Sequence, residues 1–578
     1  MNVTNQRPAP RAWLILAIVS LPVFIGALDL TIISAVLPDV IISLELPVKE
    51  YLDQASWAVN GYLLAYAISM TFTGRLSDVL GRRVIYVACL LIFMVGSYLV
   101  TAYDNATLNS WIARFYNDVL NQRPPRLEVR HLYLVIFGRI VQAFGAGAMV
   151  PVTIALAGDL FPAVRRARPV GLIGAVDTLG WVLGHLYGGI MVRFFGLHGD
   201  KIVDAFSSLG ISVGMPSWET LFILNIPISF VALILSWWAL RNVEQPSHVP
   251  RFDLLGTVTI SLALILLNLG VGSSPEAATT AESFEDLQGS VSGSAGVLLF
   301  GAAVAFMLFL LIESRVKYPL LRLSMFRNRN FSSASATNLM VGFCLAISLV
   351  SAPLLVNFRA DDPTSDEIQN AAYIAGILLS GLTIPMALAA IPGGWLSERF
   401  GYRVPATGGL LLSSLGFLMA GLSWESNTSY WIMGMQMALI GVGLGLTISP
   451  LGTAAINDAD ESERGVASAL ILILRLVGMT LAISWLTIYS LDRFDVLVTQ
   501  YRAPEGADLD AVLKAASRAN VKAAADVISE LQFIGAGVSA LALVFAWFLR
   551  GGGSVPTNHP TPLPHRSKQV HTPSQIAS

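Results

Sequence analysis

The segment GRLSDVLGRRV, Gly74–Val84, returns as GWLSERFGYRV, Gly394–Val404. The two align without gaps at an offset of 320 residues, with six identities in eleven and Asp78 opposite Glu398. Each sits between two long apolar runs, as a short polar turn would. A chance match falling twice in the same place is improbable. The chain therefore reads as two copies in the same orientation, related by an axis along a membrane normal.

Working outward from the repeat, fourteen stretches are long and apolar enough to cross a bilayer core, which takes about 20 residues. They lie near 13–37, 55–75, 84–102, 132–152, 168–192, 219–240, 254–272, 295–313, 331–355, 371–392, 404–422, 430–450, 465–489 and 530–549. Six belong to each copy, and 254–272 and 295–313 stand between the copies. The expected organisation is a six-helix bundle over 1–245, two inserted spans with their linker over 246–328, and a second six-helix bundle over 329–550. A tail over 551–578, rich in Pro, Ser and His, reads as disordered. The runs are continuous rather than alternating, which excludes a β-barrel. The first run ends in LPDV, without a small-residue cleavage site, and reads as a retained span.

Of 578 residues, 54% are hydrophobic and 13% charged. A soluble domain carries about 25% charged residues. Mean hydropathy is +0.65. Together these exclude a soluble enzyme and a disordered chain, and 36 basic against 38 acidic residues give no basic surplus for nucleic acid. The class is an all-α polytopic membrane protein. Cys89 and Cys344 lie in apolar runs and supply neither a disulfide framework nor a metal site. The glycine run GVGLG, Gly441–Gly445, lies inside a span and lacks the lysine of a phosphate loop, so it reads as close helix packing. No nucleotide or other cofactor is expected, and no enzymatic motif is present.

With the N-terminus in the cytoplasm, 21 Lys/Arg fall inside and 13 outside, nine of the latter in two long loops that weigh little. Both termini are thus expected in the cytoplasm, at the plasma membrane. The basic clusters LFPAVRRAR, Leu160–Arg168, and MFRNRNF, Met325–Phe331, read as plain topology anchors. The Ala-rich stretch Asp508–Glu530 reads as a surface helix outside the membrane.

Four charges fall well inside spans, away from their ends: Asp29, Arg139, Asp177 and Arg475. Facing lipid unpaired, they would cost roughly 10–14 kcal/mol together. They are therefore expected to face a cavity or each other. Asp29 could hold either a proton or a cationic substrate, and competition for one site is the simplest physics of exchange. Arg139 either biases a neighbouring carboxylate's proton affinity or holds helices together as an ion pair. Asp177 and His185, eight residues apart, lie on neighbouring faces of one helix and could form a relay, or His185 could be a hydrogen-bonded structural residue.

The turn Gly74–Val84 resembles the signature between the second and third helices of the major facilitator superfamily. The fourteen spans resemble that family's drug:proton antiporter branch. LDLTIISAVLP, Leu28–Pro38, is similar to the branch's first-helix pattern, with Ser34 where Asn is usual. GRIVQAFGAG, Gly138–Gly147, resembles the Arg-plus-Gly fourth-helix motif. In GLIGAVDTLGWVLGHLYGG, the glycines at Gly171, Gly180, Gly184, Gly188 and Gly189 match the antiporter motif, while His185 replaces its proline.

The resemblance implies the major facilitator fold, with two pseudo-symmetric six-helix bundles plus two additional spans. It implies Asp29, Arg139, Asp177 and His185 around a proton-coupling or substrate cavity. Gly74, Asp78, Gly81 and Arg82, with Glu398 and Arg399, would form a conformational latch. The function implied is proton-driven export of small amphipathic or cationic compounds by alternating access, in a monomer whose partners are substrate, protons and the bilayer. An importer on the same fold and a sensor without flux remain open alternatives.

Overall fold

A computed structural model describes residues 10–208, 214–243, 253–271, 283–284, 295–360, 365–501 and 509–552. The expected disordered tail from 553 onward lies outside the described residues, as do the side chain of His185 and Gly189. The long helices are α1 Pro10–Ser43, α2 Trp57–Leu80, α3 Arg82–Thr101, α4 Leu127–Leu160, α5 Ala167–Ser208, α6 Trp218–Leu240, α7 Leu254–Val271, α8 Ala295–Glu313, α9 Arg329–Phe358, α10 Ser365–Phe400, α11 Arg403–Ser423, α12 Tyr430–Asp458, α13 Arg464–Tyr501 and α14 Leu509–Ala546. Each expected span falls in one of them. Among the described residues, 12 helices are apolar enough by length and composition to cross a membrane, two fewer than the fourteen spans expected; α2 and α5 are the two outside that count.

The duplicated turn explains where α2 and α10 stop. Gly81 and Gly401 take φ of 95° and 85°, a region that glycine alone enters without a Cβ penalty. Their N–H groups close onto Ser77 O and Ser397 O at 3.1 and 3.0 Å. The aligned Arg83 and Arg403 also do the same thing. Arg83 stacks 3.6 Å from the Trp237 ring on α6, and Arg403 stacks 3.2 Å from Trp547, just after α14.

In the first bundle α1 packs on α4, α5 and α6, and α3 packs on α4 and α6. In the second, α12 packs on α10 and α11, and α9 on α13 and α14. Lipid tails are as apolar as leucine, so such contacts rest on tight packing. Three glycines bring α3 and α4 backbone to backbone: a Cβ on Gly96, Gly138 or Gly145 would strike main-chain atoms of Gln142, Val100, or Cys89 and Phe93. The GVGLG run does the same, with Gly441 against Leu382 O and Gly445 against Met386 O.

The inserted helices α7 and α8 pair with each other, and α7 leans on both α2 and α13. Contacts between the bundles run through α2 with α13 and α5 with α10. They close the end that carries the duplicated turns. Trp13 packs edge-on against Phe161 there, and Gly551 O accepts the Tyr402 N–H. We call it the basic end.

The stretch expected as a surface helix is instead the first half of α14. Its Ala-rich composition favours unbroken helix, so the chain runs straight into the span. At 38 residues each, α13 and α14 reach about 57 Å, well past a 30 Å core. The Tyr501 hydroxyl donates to Asp526 and Arg493 pairs with Glu530 along this extension, at 2.6 and 2.8 Å.

Gly145→Ala should lower folding stability by about 1–3 kcal/mol through overpacking. Gly408→Ala, whose Cβ would meet nothing within 4 Å, should leave it unchanged. Thermal unfolding of the two purified variants checks the difference.

Candidate functional site

Asp29, Arg139 and three amides or hydroxyls meet in the middle of the first bundle. Arg139 Nη1 donates to Asp29 Oδ2 at 2.5 Å and to Gln142 Oε1 at 2.6 Å, and Nη2 donates to the Asp29 carbonyl at 3.0 Å. Asn225 and Gln142 donate to Asp29 Oδ1 at 2.6 and 3.1 Å, and Gln142 also donates to Ser97. The guanidinium lies 4.0 Å from the Tyr62 ring. Asp29 and Arg139 are both fully buried. They thus face each other and do not line the central cavity, which corrects that part of the sequence reading. Their partners come from α1, α2, α3, α4 and α6.

The residues expected to form a latch lie at the basic end, in contacts between the bundles. Asp78 Oδ1 pairs with Arg82 at 2.5 Å. Its carboxylate accepts the Gly465 and Val466 N–H groups at 3.1 and 3.3 Å, the positive end of the α13 dipole. Glu398 repeats the arrangement on α5, accepting the Arg168 N–H at 3.2 Å and pairing with its side chain at 2.7 Å. In each copy a carboxylate of one bundle caps a helix of the other. Gly74 allows the first cap: a Cβ there would overlap the Gly465 carbonyl. Gly394 does so for the second, against Ala167 O.

Several residues of this network escaped the sequence reading. Asp159 bridges Arg82 at 3.1 Å and Arg464 of the other bundle at 2.9 Å. Arg166 is no plain anchor: it is buried and donates to Asn457 at 2.7 Å, while Asn457 donates to the Ala163 carbonyl and to the Tyr402 hydroxyl. Burial and the nearby Arg464 bring Arg166 down to about 10, and burial pushes Tyr402 up to about 12. Near neutral pH neither changes charge. Arg399, expected in the latch, stands outside this network, exposed, with its guanidinium against Trp395 and Phe400; the position aligned with Arg82 is Tyr402.

Of the antiporter-like glycines, Gly180, Gly184 and Gly188 press α5 onto α1, at Ala27, Leu28 and Ala35. Thr31 donates to the Trp181 carbonyl across this seam at 2.9 Å. Gly171 instead meets Ala390 of α10.

The central cavity lies where the bundles face each other. Tyr66, Met70, Asp177, Thr178 and Trp181 line it from the first bundle, and Leu345, Leu349, Thr383, Met386, Leu472, Arg475 and Leu476 from the second. The wall is mostly apolar. Its one acid and one base come from opposite sides, with Arg475 Nη2 3.9 Å from Asp177 Oδ2. Asp177 Oδ1 and Trp181 Nε1 are buried without a hydrogen-bond partner. Arg475 was weighed as a costly charge in the sequence but not assigned to the cavity. Its signal was the same as that of Asp177, a charge inside a span.

The model of the Major Facilitator Superfamily matches residues 19–483. The triacylglyceride transporter of Mycobacteroides abscessus is 29% identical over 84% of this chain and 85% of its own length. That of Mycolicibacterium smegmatis is 28% identical over 87% and 80%. Among solved structures, the proton:xylose symporter XylE aligns with a TM-score of 0.56 at 14% identity, covering 94% of this chain and 96% of that one. The human organic anion transporter MFSD10 aligns at 0.52 and 13%, covering 92% and 100%. These two likenesses concern the fold.

Asp29→Asn should destabilise the protein by about 3–5 kcal/mol, because it strands a buried guanidinium. Adding Arg139→Gln should restore part of that loss. Thermal unfolding of the single and double variants gives the comparison.

Proposed function

Because this chain belongs to the major facilitator superfamily, we propose that it exports an amphipathic, largely apolar molecule across the membrane in exchange for protons. The family and the relatives are transporters, not enzymes, and the chain is an integral multi-pass membrane protein. The proposal adds the substrate class, the direction and the coupling.

The observation that carries it is the cavity between the bundles. Its wall suits acyl chains, and its opposed Asp177 and Arg475 leave little net charge to attract a free ion. The relatives named for triacylglycerides agree with an apolar cargo. We take the substrate to be an acyl lipid of that kind. Export of cationic compounds is the second reading, favoured by the unpartnered Asp177 Oδ1.

In this scheme the bundles 1–245 and 329–550 rock as units, with 246–328 riding between them. The basic end faces the cytoplasm, both termini lie there, and the chain acts as a monomer in the plasma membrane. The described state is then the one closed toward the cytoplasm. Protonation of Asp177 releases Arg475, loosens the contact between bundles and lets them re-form around new cargo. A proton falling through 100 mV supplies about 2.3 kcal/mol, enough for more than tenfold accumulation.

Reconstituted in vesicles, the protein should move a fluorescent triacylglyceride faster under an imposed pH gradient than without one. Asp177→Asn should cut the gradient-driven rate at least tenfold while leaving thermal stability near wild type. Equal rates with and without a gradient would defeat the coupling. A clear preference for a cationic dye over the lipid would select the second reading.

A further inference from the structure

The inserted helix pair carries two acids that this scheme does not use. Asp253 immediately precedes α7 and Glu313 ends α8, and they are 7% and 4% exposed. Asp253 Oδ1 accepts the Gly256 N–H at 2.9 Å. Glu313 Oε1 and Oε2 accept the Leu320 and Leu321 N–H groups at 3.2 and 3.1 Å. Three of the four carboxylate oxygens are therefore occupied by backbone donors. The fourth, Asp253 Oδ2, is buried with no partner.

That oxygen lies beside Glu313. A Cβ on Gly256 would lie 2.5 Å from Glu313 Oε1 and 2.6 Å from Asp253 Oδ2. The two oxygens are thus no more than about 5 Å apart, close enough for two like charges to oppose double ionisation. Glycine at 256 leaves the room in which they approach. Among the described residues, the charges acting on Glu313 are Asp253 and, from α2, Arg75. Arg75 also donates to the Ser462 carbonyl at 3.3 Å, across the seam between the bundles.

We propose that Asp253 and Glu313 form a proton site outside the central cavity, with one proton held between Asp253 Oδ2 and Glu313 Oε1. The proton comes from water at the basic end. One carboxyl O–H donates to the other carboxylate, and the pair keeps a single negative charge. A metal ion fits poorly. A hard divalent cation such as calcium takes six or more oxygen ligands, whereas here three oxygens already face N–H groups. No cluster of three or more His, Cys, Asp or Glu able to hold a metal is found among the described residues. A proton needs only two oxygens.

The test uses the full-length protein in detergent. With Asp177→Asn as the background, so that the cavity acid contributes no band, infrared difference spectra across a pH titration should show the carbonyl stretch of a protonated carboxyl, and adding Asp253→Asn or Glu313→Gln should each abolish it. Gly256→Ala, which keeps both acids but fills the space between them, should shift or remove it. The sign in stability follows from linkage. The folded pair holds a proton that the unfolded carboxylates have lost, so folding weakens as pH rises through the pair's titration. Relative to Asp253→Asn, the wild-type folding constant should fall by up to tenfold per pH unit in that window. If Asp253→Asn does not fold, Glu313→Gln carries the same comparison. A band surviving both replacements, or identical pH profiles for wild type and Asp253→Asn, would overturn the site. So would sodium stabilising the wild type, and not Asp253→Asn, at fixed pH. None of these readouts depends on transport, so the cargo reading can fail without touching this one.

Discussion

Arg139 is a fully buried cation inside a span, and such a charge is costly unless it is enclosed by partners, so the first bundle is organised around it. Five helices contribute to its enclosure: α1 through Asp29, α2 through Tyr62, α3 through Ser97 by way of Gln142, α4 through Gln142 itself, and α6 through Asn225. The sixth, α5, is joined to α1 by its glycine seam. A half built this way resists internal rearrangement, because each partner that left would strand a buried polar group. Such rigidity is what a rocking motion requires, since the change must then fall on the contacts between halves.

Those contacts follow a single rule used twice. A carboxylate at the end of the second helix of one half caps the start of a helix in the other, Asp78 on α13 and Glu398 on α5. The copies are not equal. Around Asp78 the network is ionic and buried, with Arg82, Asp159 and Arg464. Around Glu398 a half-exposed Arg168 and the neutral Tyr402–Asn457 pair take those places. The first contact is shielded from water and the second is open to it.

The sequence disclosed the helices, the duplication and the capping carboxylates, because each leaves a linear mark: an apolar run of bilayer length, a recurring turn, an acid at a fixed place in it. The position of the cavity left none. In spans that are apolar all round, no stripe separates the side facing cargo from the side facing lipid, so Asp29 and Asp177 looked alike. One is enclosed by its own bundle and the other opens onto the interface. Asp159, Arg166 and Asn457 were hidden for another reason: their partners lie in the opposite half, hundreds of residues away. Gln142 and Asn225 did carry a signal, as amides within spans, and went unread because only full charges were followed.

The stacked pairs Arg83–Trp237 and Arg403–Trp547 place a flat aromatic and a cation at the same level of each half. Indole and guanidinium both settle in the headgroup layer. Each half therefore carries its own depth mark, and the two marks are independent. When one half tilts against the other, its mark must either leave that layer or pull the surrounding lipids with it. Bilayer thickness then enters the balance between the two states, and a thinner or thicker membrane biases which side stands open.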